Sequence, residues 1–185
     1  MQKTKSQSGW KRKLTKQEKT VCIQTKEKIF EKQKTKSGLT SDEITSLLSP
    51  VRHFAGCFAV DQVSNLSFSS FPCFIIVNID HSFLPGSHWL AVRIDRSSVE
   101  VFDPAGFKIF NWPRVPCNLL SFLHRLTVNR TIQLTDCIQP TTSFLCGFYC
   151  IFYILHRQHS SLSTITSLFN SNLRKNDREL IKLFR

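Results

Sequence analysis

No stretch of this chain supplies the roughly 18 to 20 consecutive apolar residues that a membrane helix needs. Its longest apolar runs, around Phe74–Val77 and Gly147–Leu155, are too short or interrupted. The lysine-rich start is not followed by an apolar segment, so no signal peptide is expected. A Cys-x-x-Cys pair is also lacking, and no internal repeat is present. The seven cysteines are Cys22, Cys57, Cys73, Cys117, Cys137, Cys146 and Cys150. They are scattered and odd in number, which excludes a fully paired disulfide framework and leaves no ligand spacing suited to structural zinc. Free thiols in a reducing compartment fit this usage. The expected location is intracellular, nuclear or cytoplasmic (or the virion, for a viral protein), with no membrane association.

Acidic residues are scarce at the start. The first 36 positions hold 3 Asp/Glu against 12 Lys/Arg, whereas the rest of the chain holds 10 against 13. A nearly balanced domain therefore follows a basic segment. Residues 1–45 read as a tail that is mostly disordered or loosely helical, with at most a weak helix over Gln17–Phe30. Lys11-Arg12-Lys13 is a weak nuclear-import or phosphate-binding pattern, and it serves equally well as a solubilising cluster. Residues 46–185 read as one domain whose ordered part starts near Pro50. Apolar residues make up 41% of the chain, enough for a core.

Ser41–Leu48 reads as a short helix capped by Ser41. Phe54–Val60 opens the domain. Phe74–Ile79 is a buried-strand signal, and Trp89–Ile94 and Ser98–Phe102 form a hairpin around Asp95-Arg96-Ser97. Asn118–Leu126 has helical spacing and Thr131–Leu134 reads as a strand. Cys146–His156 is apolar nearly all round, which predicts a buried helix. Leu173–Phe184 is an amphipathic terminal helix. Helices around a short antiparallel or mixed sheet give an α+β fold.

Four short segments carry chemistry: Gly86-Ser87-His88-Trp89, Val101 to Phe107, Gln139-Pro140, and Cys146 to Cys150. Cys146 falls where an apolar helix begins. A helix N-terminus and a neighbouring imidazole both favour thiolate over thiol. Gly147 keeps the approach open, and the Cys146 N–H can point at an oxyanion. His88 lies at the mouth of one hairpin strand and Asp103 just past the end of its partner. Pairing brings the two to the same end, where the carboxylate can fix the imidazole tautomer. Gln139, stiffened by Pro140, offers uncharged amide donors to an oxyanion. His81 is the rival base, and Asp95 and Glu100 are the rival acids. Cys57, Cys73, Cys117, Cys137 and Cys150 read as small buried hydrophobes. Trp89 reads as core or as a cover for the imidazole.

The ordered set His88-Trp89, Phe102-Asp103-Pro104 with Gly106-Phe107, Gln139, and Cys146-Gly147 resembles the adenovirus protease (adenain) family. Relatives of that family occur in viruses and in Maverick/Polinton transposons, and the SUMO and ubiquitin-like protein proteases are more distantly similar. Phe54-Ala55-Gly56 and Leu173 to Leu180 extend the resemblance over roughly residues 50–185. The resemblance implies an adenain-like α+β fold, with a small mixed sheet packed on a central helix that bears the nucleophile. It implies a cysteine endopeptidase with catalytic residues Cys146, His88, Asp103 and Gln139, which processes viral or mobile-element structural proteins after small residues such as glycine. The acid is Asp103, as the SUMO-type enzymes use Asp, where adenovirus enzymes carry Glu. The position at which the adenovirus enzyme bonds its activating peptide falls near Val128 here, and the nearest thiol is Cys137. No cofactor is required by the residues themselves. DNA is a candidate activator through the basic tail, and a monomer acting on protein substrates is expected. Two other readings stand beside this one: a SUMO or ubiquitin-like isopeptidase, and a nucleic-acid-binding module on an inactive protease fold.

Overall fold

In the computed structural model, residues 14–106 and 115–184 are described. The Lys11-Arg12-Lys13 cluster and Phe107 lie outside the described residues. Five strands form one sheet: β1 (Phe54–Ala59), β2 (Cys73–Asn78), β3 (Trp89–Ile94), β4 (Ser98–Phe102) and β5 (Thr131–Leu134), lying side by side in that order. β1 with β2 and β4 with β5 pair parallel, while β2 with β3 and β3 with β4 pair antiparallel. The sheet is therefore mixed, and the β3–β4 hairpin turns where Asp95 to Ser97 were expected to turn it.

Every residue of β2 is buried because both faces of the sheet are covered. Cys73, Ile75 and Val77 alternate with Phe74 and Ile76, so each set meets a different layer. On one side lies α3 (Cys117–Thr127), which buries Leu119, Phe122, Leu123 and Leu126 at helical spacing. On the other lies α4 (Cys146–Arg157), buried from Cys146 to His156. Tyr153 of α4 stacks on Phe102 of β4 with ring centroids 4.5 Å apart. The fold is α+β, with the cysteine-bearing helix central.

Over residues 14–45 the structure corrects the expectation of a tail that is mostly disordered or loosely helical. This region contains α1 (Lys16–Thr35) and the start of α2 (Ser41–Leu48), both docked on the core. Each begins with a capping box, Thr15 with Glu18 and Thr40 with Glu43. The cap of α2 is thus Thr40 rather than Ser41. α1 buries a narrow stripe of Val21, Cys22, Thr25 and Ile29 under a lysine-rich outer face. Lys28 and Lys32 reach Glu43 at 3.1 and 2.9 Å and join α1 to α2. A low average hydropathy hid this stripe, because one buried face is enough to dock a helix that is otherwise polar.

A short helix α5 (Leu162–Thr166), absent from the sequence reading, follows α4. The terminal segment opens with a 3₁₀ turn at Leu173–Lys175 and continues as α6 (Asn176–Leu183). Among the described residues no helix is long and apolar enough to cross a membrane.

Candidate active site

The hairpin register places the site. Ala91 pairs with Phe102 at the last rung, so the residues before β3 and after β4 emerge together. There His88 Nε2 meets Asp103 Oδ1 at 2.7 Å. The imidazole also hydrogen-bonds Cys146, at the first residue of α4. With Nε2 committed to the carboxylate, Nδ1 is the nitrogen left for the sulfur. His88, Asp103 and Cys146 thus come together from two strand ends and a helix N-terminus.

Asp103 is itself held on several sides. Its Oδ1 also accepts the Ala105 N–H at 2.9 Å. Its N–H donates to Thr135 Oγ1 at 2.9 Å, and the Thr135 hydroxyl donates back to its carbonyl at 3.0 Å. Gly106, with φ of +64°, closes this turn where any Cβ would collide with the Cys137 backbone. Thr135 is a supporting residue that sequence reasoning missed. It stands one residue beyond β5, and no local sequence signal announced that β5 would pair parallel to β4.

Burial alone would push the charge off His88. The hydrogen bonds to Asp103 and Cys146, with the charges of both, outweigh it and raise the imidazole from 6.5 to about 9. The group is therefore held as imidazolium across neutral pH. Its contribution to folding is fully present below about 6.5 and is lost as pH rises through about 9.

Gln139 is buried beside this group. One amide N–H of its Nε2 goes to the Ser143 carbonyl at 3.0 Å, which leaves the second. Its Oε1 is buried with no hydrogen-bond partner among the described residues. The backbone N–H groups of Cys146, Gly147 and Phe148 belong to the first turn of α4 and have no intrahelical acceptor. A helix-end N–H at Cys146 and a second amide N–H at Gln139 are donors of the kind an oxyanion hole uses.

A cavity of about 410 Å³ opens on this group and is lined by His88, Gln139, Ala105, Cys137, Pro140 and Ser143, among others. Cys146 is not one of the lining residues and is 6% exposed. A larger cavity of about 800 Å³ lies at the turn end of the β3–β4 hairpin, around Arg93, Glu100 and Arg157, away from the imidazole.

The rival residues take other places. Asp95 bonds Arg93, at 2.6 Å, in the hairpin turn. Glu100 is buried against Arg157 and Tyr153. His81 lies in the exposed loop before His88. Trp89 is buried at the start of β3. Its Nε1 donates to the Leu39 carbonyl at 2.9 Å, and its ring lies over Gly147, where an added Cβ would approach it to 3.3 Å. The aromatic thus wedges the N-terminal segment against the start of α4. Cys150 is fully buried, whereas Cys117 and Cys137 are exposed, contrary to a uniform core reading of the other thiols.

The family model described as adenovirus endoprotease matches residues 54–178. A cysteine protease of African swine fever virus is 32% identical to the chain over 98 residues, which cover 48% of this chain and 34% of that protein. The chain thus matches about a third of the length of this curated relative. A crystal structure of a protease of the same virus superposes with a TM-score of 0.48 at 21% identity, covering 80% of this chain and 66% of the other.

Proposed function

The chain belongs to the adenovirus endoprotease family of cysteine proteases, and we propose that it acts as an endopeptidase through Cys146, His88, Asp103 and Gln139. The observation that carries this reading is the imidazole bonded to Asp103 on one side and to Cys146 on the other. With the proton already held on His88, the Cys146 sulfur attacks the scissile carbonyl carbon. The negative oxygen is received by the Cys146 N–H and the Gln139 amide. The imidazolium then gives its proton to the departing amine, leaving a thioester. Water, deprotonated by His88, attacks that thioester and releases the acid and the thiol. Asp103 stabilises the charged ring in both halves.

The proposed substrates are structural proteins of a virus or mobile element, cut after small residues such as glycine. Room beside the sulfur is limited, since Cys146 is nearly covered. A peptide with Gly-Gly before the cut tests this. Turnover by the wild type, lost when the glycine at the cut becomes leucine, supports it; equal turnover of both peptides rejects the preference. Asp103 in the acid position favours a second reading, removal of SUMO or ubiquitin-like tags. A ubiquitin-like vinyl sulfone would label Cys146 under that reading and leave it free under the first.

DNA as an activator and the alternative of a nucleic-acid module rest on the basic N-terminal segment. Binding of that kind should weaken steeply with salt and disappear on deletion of residues 1–36. The protein is proposed to work as an intracellular monomer, nuclear, cytoplasmic or packaged in a virion.

The raised imidazole gives a pH prediction. Proton delivery to the leaving amine needs imidazolium, so kcat/KM is expected to fall on the alkaline side with an apparent pKa of about 9. In Asp103→Asn the carboxylate that most favours the charged ring is gone, and that limb should move down towards the ordinary histidine range of about 6.5. An alkaline limb that stays in place in Asp103→Asn would remove Asp103 from the mechanism.

A further inference from the structure

We propose that the first turn of α6, Asn176 and Asp177, is a clamp that positions Gln139 for the oxyanion; the inference rests on the catalytic reading above. The loop from Ile138 to Leu145 carries Gln139 into the site, and it is gripped at both ends by a helix more than thirty residues further along the chain. Asn176 is fully buried. Its Nδ2 donates to the Ile138 carbonyl at 2.7 Å and to the Asn170 carbonyl at 2.9 Å, while its Oδ1 accepts from the Asn170 N–H at 2.7 Å. The side chain is therefore fully used, and one of its bonds holds the residue directly before Gln139.

Asp177 grips the other end. Its Oδ1 accepts from the Ser143 hydroxyl at 3.0 Å and from the Tyr149 hydroxyl at 3.0 Å. The same Ser143 oxygen accepts the Leu145 N–H at 3.1 Å, so the serine is pinned to α6 and to the entry of α4 at once. Its carbonyl is the acceptor that orients the Gln139 amide. The line of force runs from Asp177 through Ser143 to Gln139. Neither Asn176 nor Asp177 lines the cavity, and each acts on Gln139 through the loop it holds, so both are positioning residues.

The chemistry explains why such a clamp is needed. An oxyanion donor acts only if it already points at the place where charge will develop, and a displacement of about 1 Å in a positioning group can cost about 10²-fold in rate. Gln139 has one N–H left after Ser143 takes the other, so its direction depends on where Ser143 sits. The backbone N–H groups of Ile138 and Gln139 both bond the Pro104 carbonyl at 2.9 Å, which fixes the near end of the loop to the turn that carries Asp103. At the far end Ser143 is held by Asp177, by the Leu145 N–H and, through its own N–H, by the Pro140 carbonyl at 3.0 Å. Asp177 is the half-buried carboxylate that holds it.

A merely structural role for α6 would lower stability and leave chemistry alone, so the test separates kcat, KM and thiol accessibility on the full chain. Asp177→Ala is expected to lower kcat about tenfold or more with KM nearly unchanged, while iodoacetamide alkylates Cys146 at the wild-type rate. Asp177→Asn, which keeps the acceptor oxygen, should recover most of the lost kcat. On a Gln139→Ala background, Asp177→Ala should add no further loss, because the residue acts through that amide. Should Asp177→Ala not fold, Ser143→Ala is the second variant. It leaves α6 docked through Asn176 and Tyr149, and the same fall in kcat is expected. Wild-type kcat in Asp177→Ala or in Ser143→Ala, or losses that multiply with Gln139→Ala, would overturn the clamp while leaving the protease reading intact. A wild-type chain that neither turns over the peptide nor alkylates at Cys146 would overturn both.

Discussion

Cys146→Ala should lower kcat/KM on a cleavable peptide by on the order of 10⁴-fold or more, with the fold retained. The loss is that large because every covalent step passes through the sulfur, and no other thiol is placed to replace it. Cys150 lies one turn further along α4, fully buried, with its Sγ against the Trp89 carbonyl at 3.5 Å. Burial and the nearby thiol and carboxylate charges push it well above the usual thiol range. Cys137 lines the cavity, but burial raises it too, and its Sγ is turned to the Gln139 carbonyl at 3.4 Å rather than to an imidazole. Only Cys146 shares a hydrogen bond with His88 among the described thiols. The fold should survive because the change removes one sulfur from a helix start that keeps its Trp89 and Leu39 contacts through Gly147. Circular dichroism and a thermal scan check the fold, and steady-state assay checks the rate. Activity within tenfold of wild type in a folded Cys146→Ala protein would end the thiol mechanism.

The second large effect is on stability. Glu100 is 2% exposed in the middle of β4. Arg157 reaches it with Nε to Oε2 at 2.7 Å and Nη2 to Oε1 at 2.6 Å, and Tyr153 donates to Oε2 at 2.8 Å. Arg93 adds a longer bond at 3.4 Å. Burial would raise this carboxyl, but Arg157 and Tyr153 lead the contributions that hold it below the usual range. Arg157→Ala leaves a buried carboxylate with only one long bond to a cation. Such broken pairs cost about 3–5 kcal/mol, which for a chain of this size means a fall in Tm of roughly 10 °C. A urea titration showing a loss under 1 kcal/mol would refute the account. Arg157→Met with Glu100→Gln should recover part of the loss, since no charge is then stranded. The depressed carboxyl sets the sign with pH. The pair's support is present above the ordinary Glu range and fades as pH falls through the lower folded value, so acid unfolding of the wild type should be steeper than that of the double variant. Arg157 and Tyr153 belong to the helix that begins with Cys146, and Glu100 to the strand that leads to Asp103. This pair therefore joins nucleophile and acid at the end of the hairpin far from the chemistry.

Much of the site could be read from residue order. A hairpin turn at Asp95-Arg96-Ser97 dictates that His88 and Asp103 emerge together, because antiparallel register is set by the turn and by the alternation of buried residues. An apolar run that begins at Cys146 after a polar stretch places the sulfur at a helix N-terminus, whatever lies around it. Gln139 followed by proline marked a stiff loop, and Asp103 was distinguishable from Asp95 by its place relative to the turn. The capping box Thr40 with Glu43 was also legible, yet Ser41 was preferred one position away.

The rest was not legible for a physical reason. α1 looked like a solvated tail because charge and mean hydropathy are averaged over a helix, while docking needs only the stripe Val21, Cys22, Thr25 and Ile29. The bond from Thr135 to Asp103 depends on β5 lying parallel beside β4, which no local pattern announces.

What the chain alone determined was local: where strands and helices start, which thiol stands at a helix tip, and which carboxyl ends the hairpin. What only the tertiary structure decided was the partners reached across long separations: Glu100 with Arg157, Glu18 with His159, and Asp177 with Ser143 and Tyr149. Periodicity and turn chemistry are properties of neighbours in sequence. A buried charge or hydroxyl is satisfied by whatever the packed layers bring within about 3 Å, and that is a property of the whole fold.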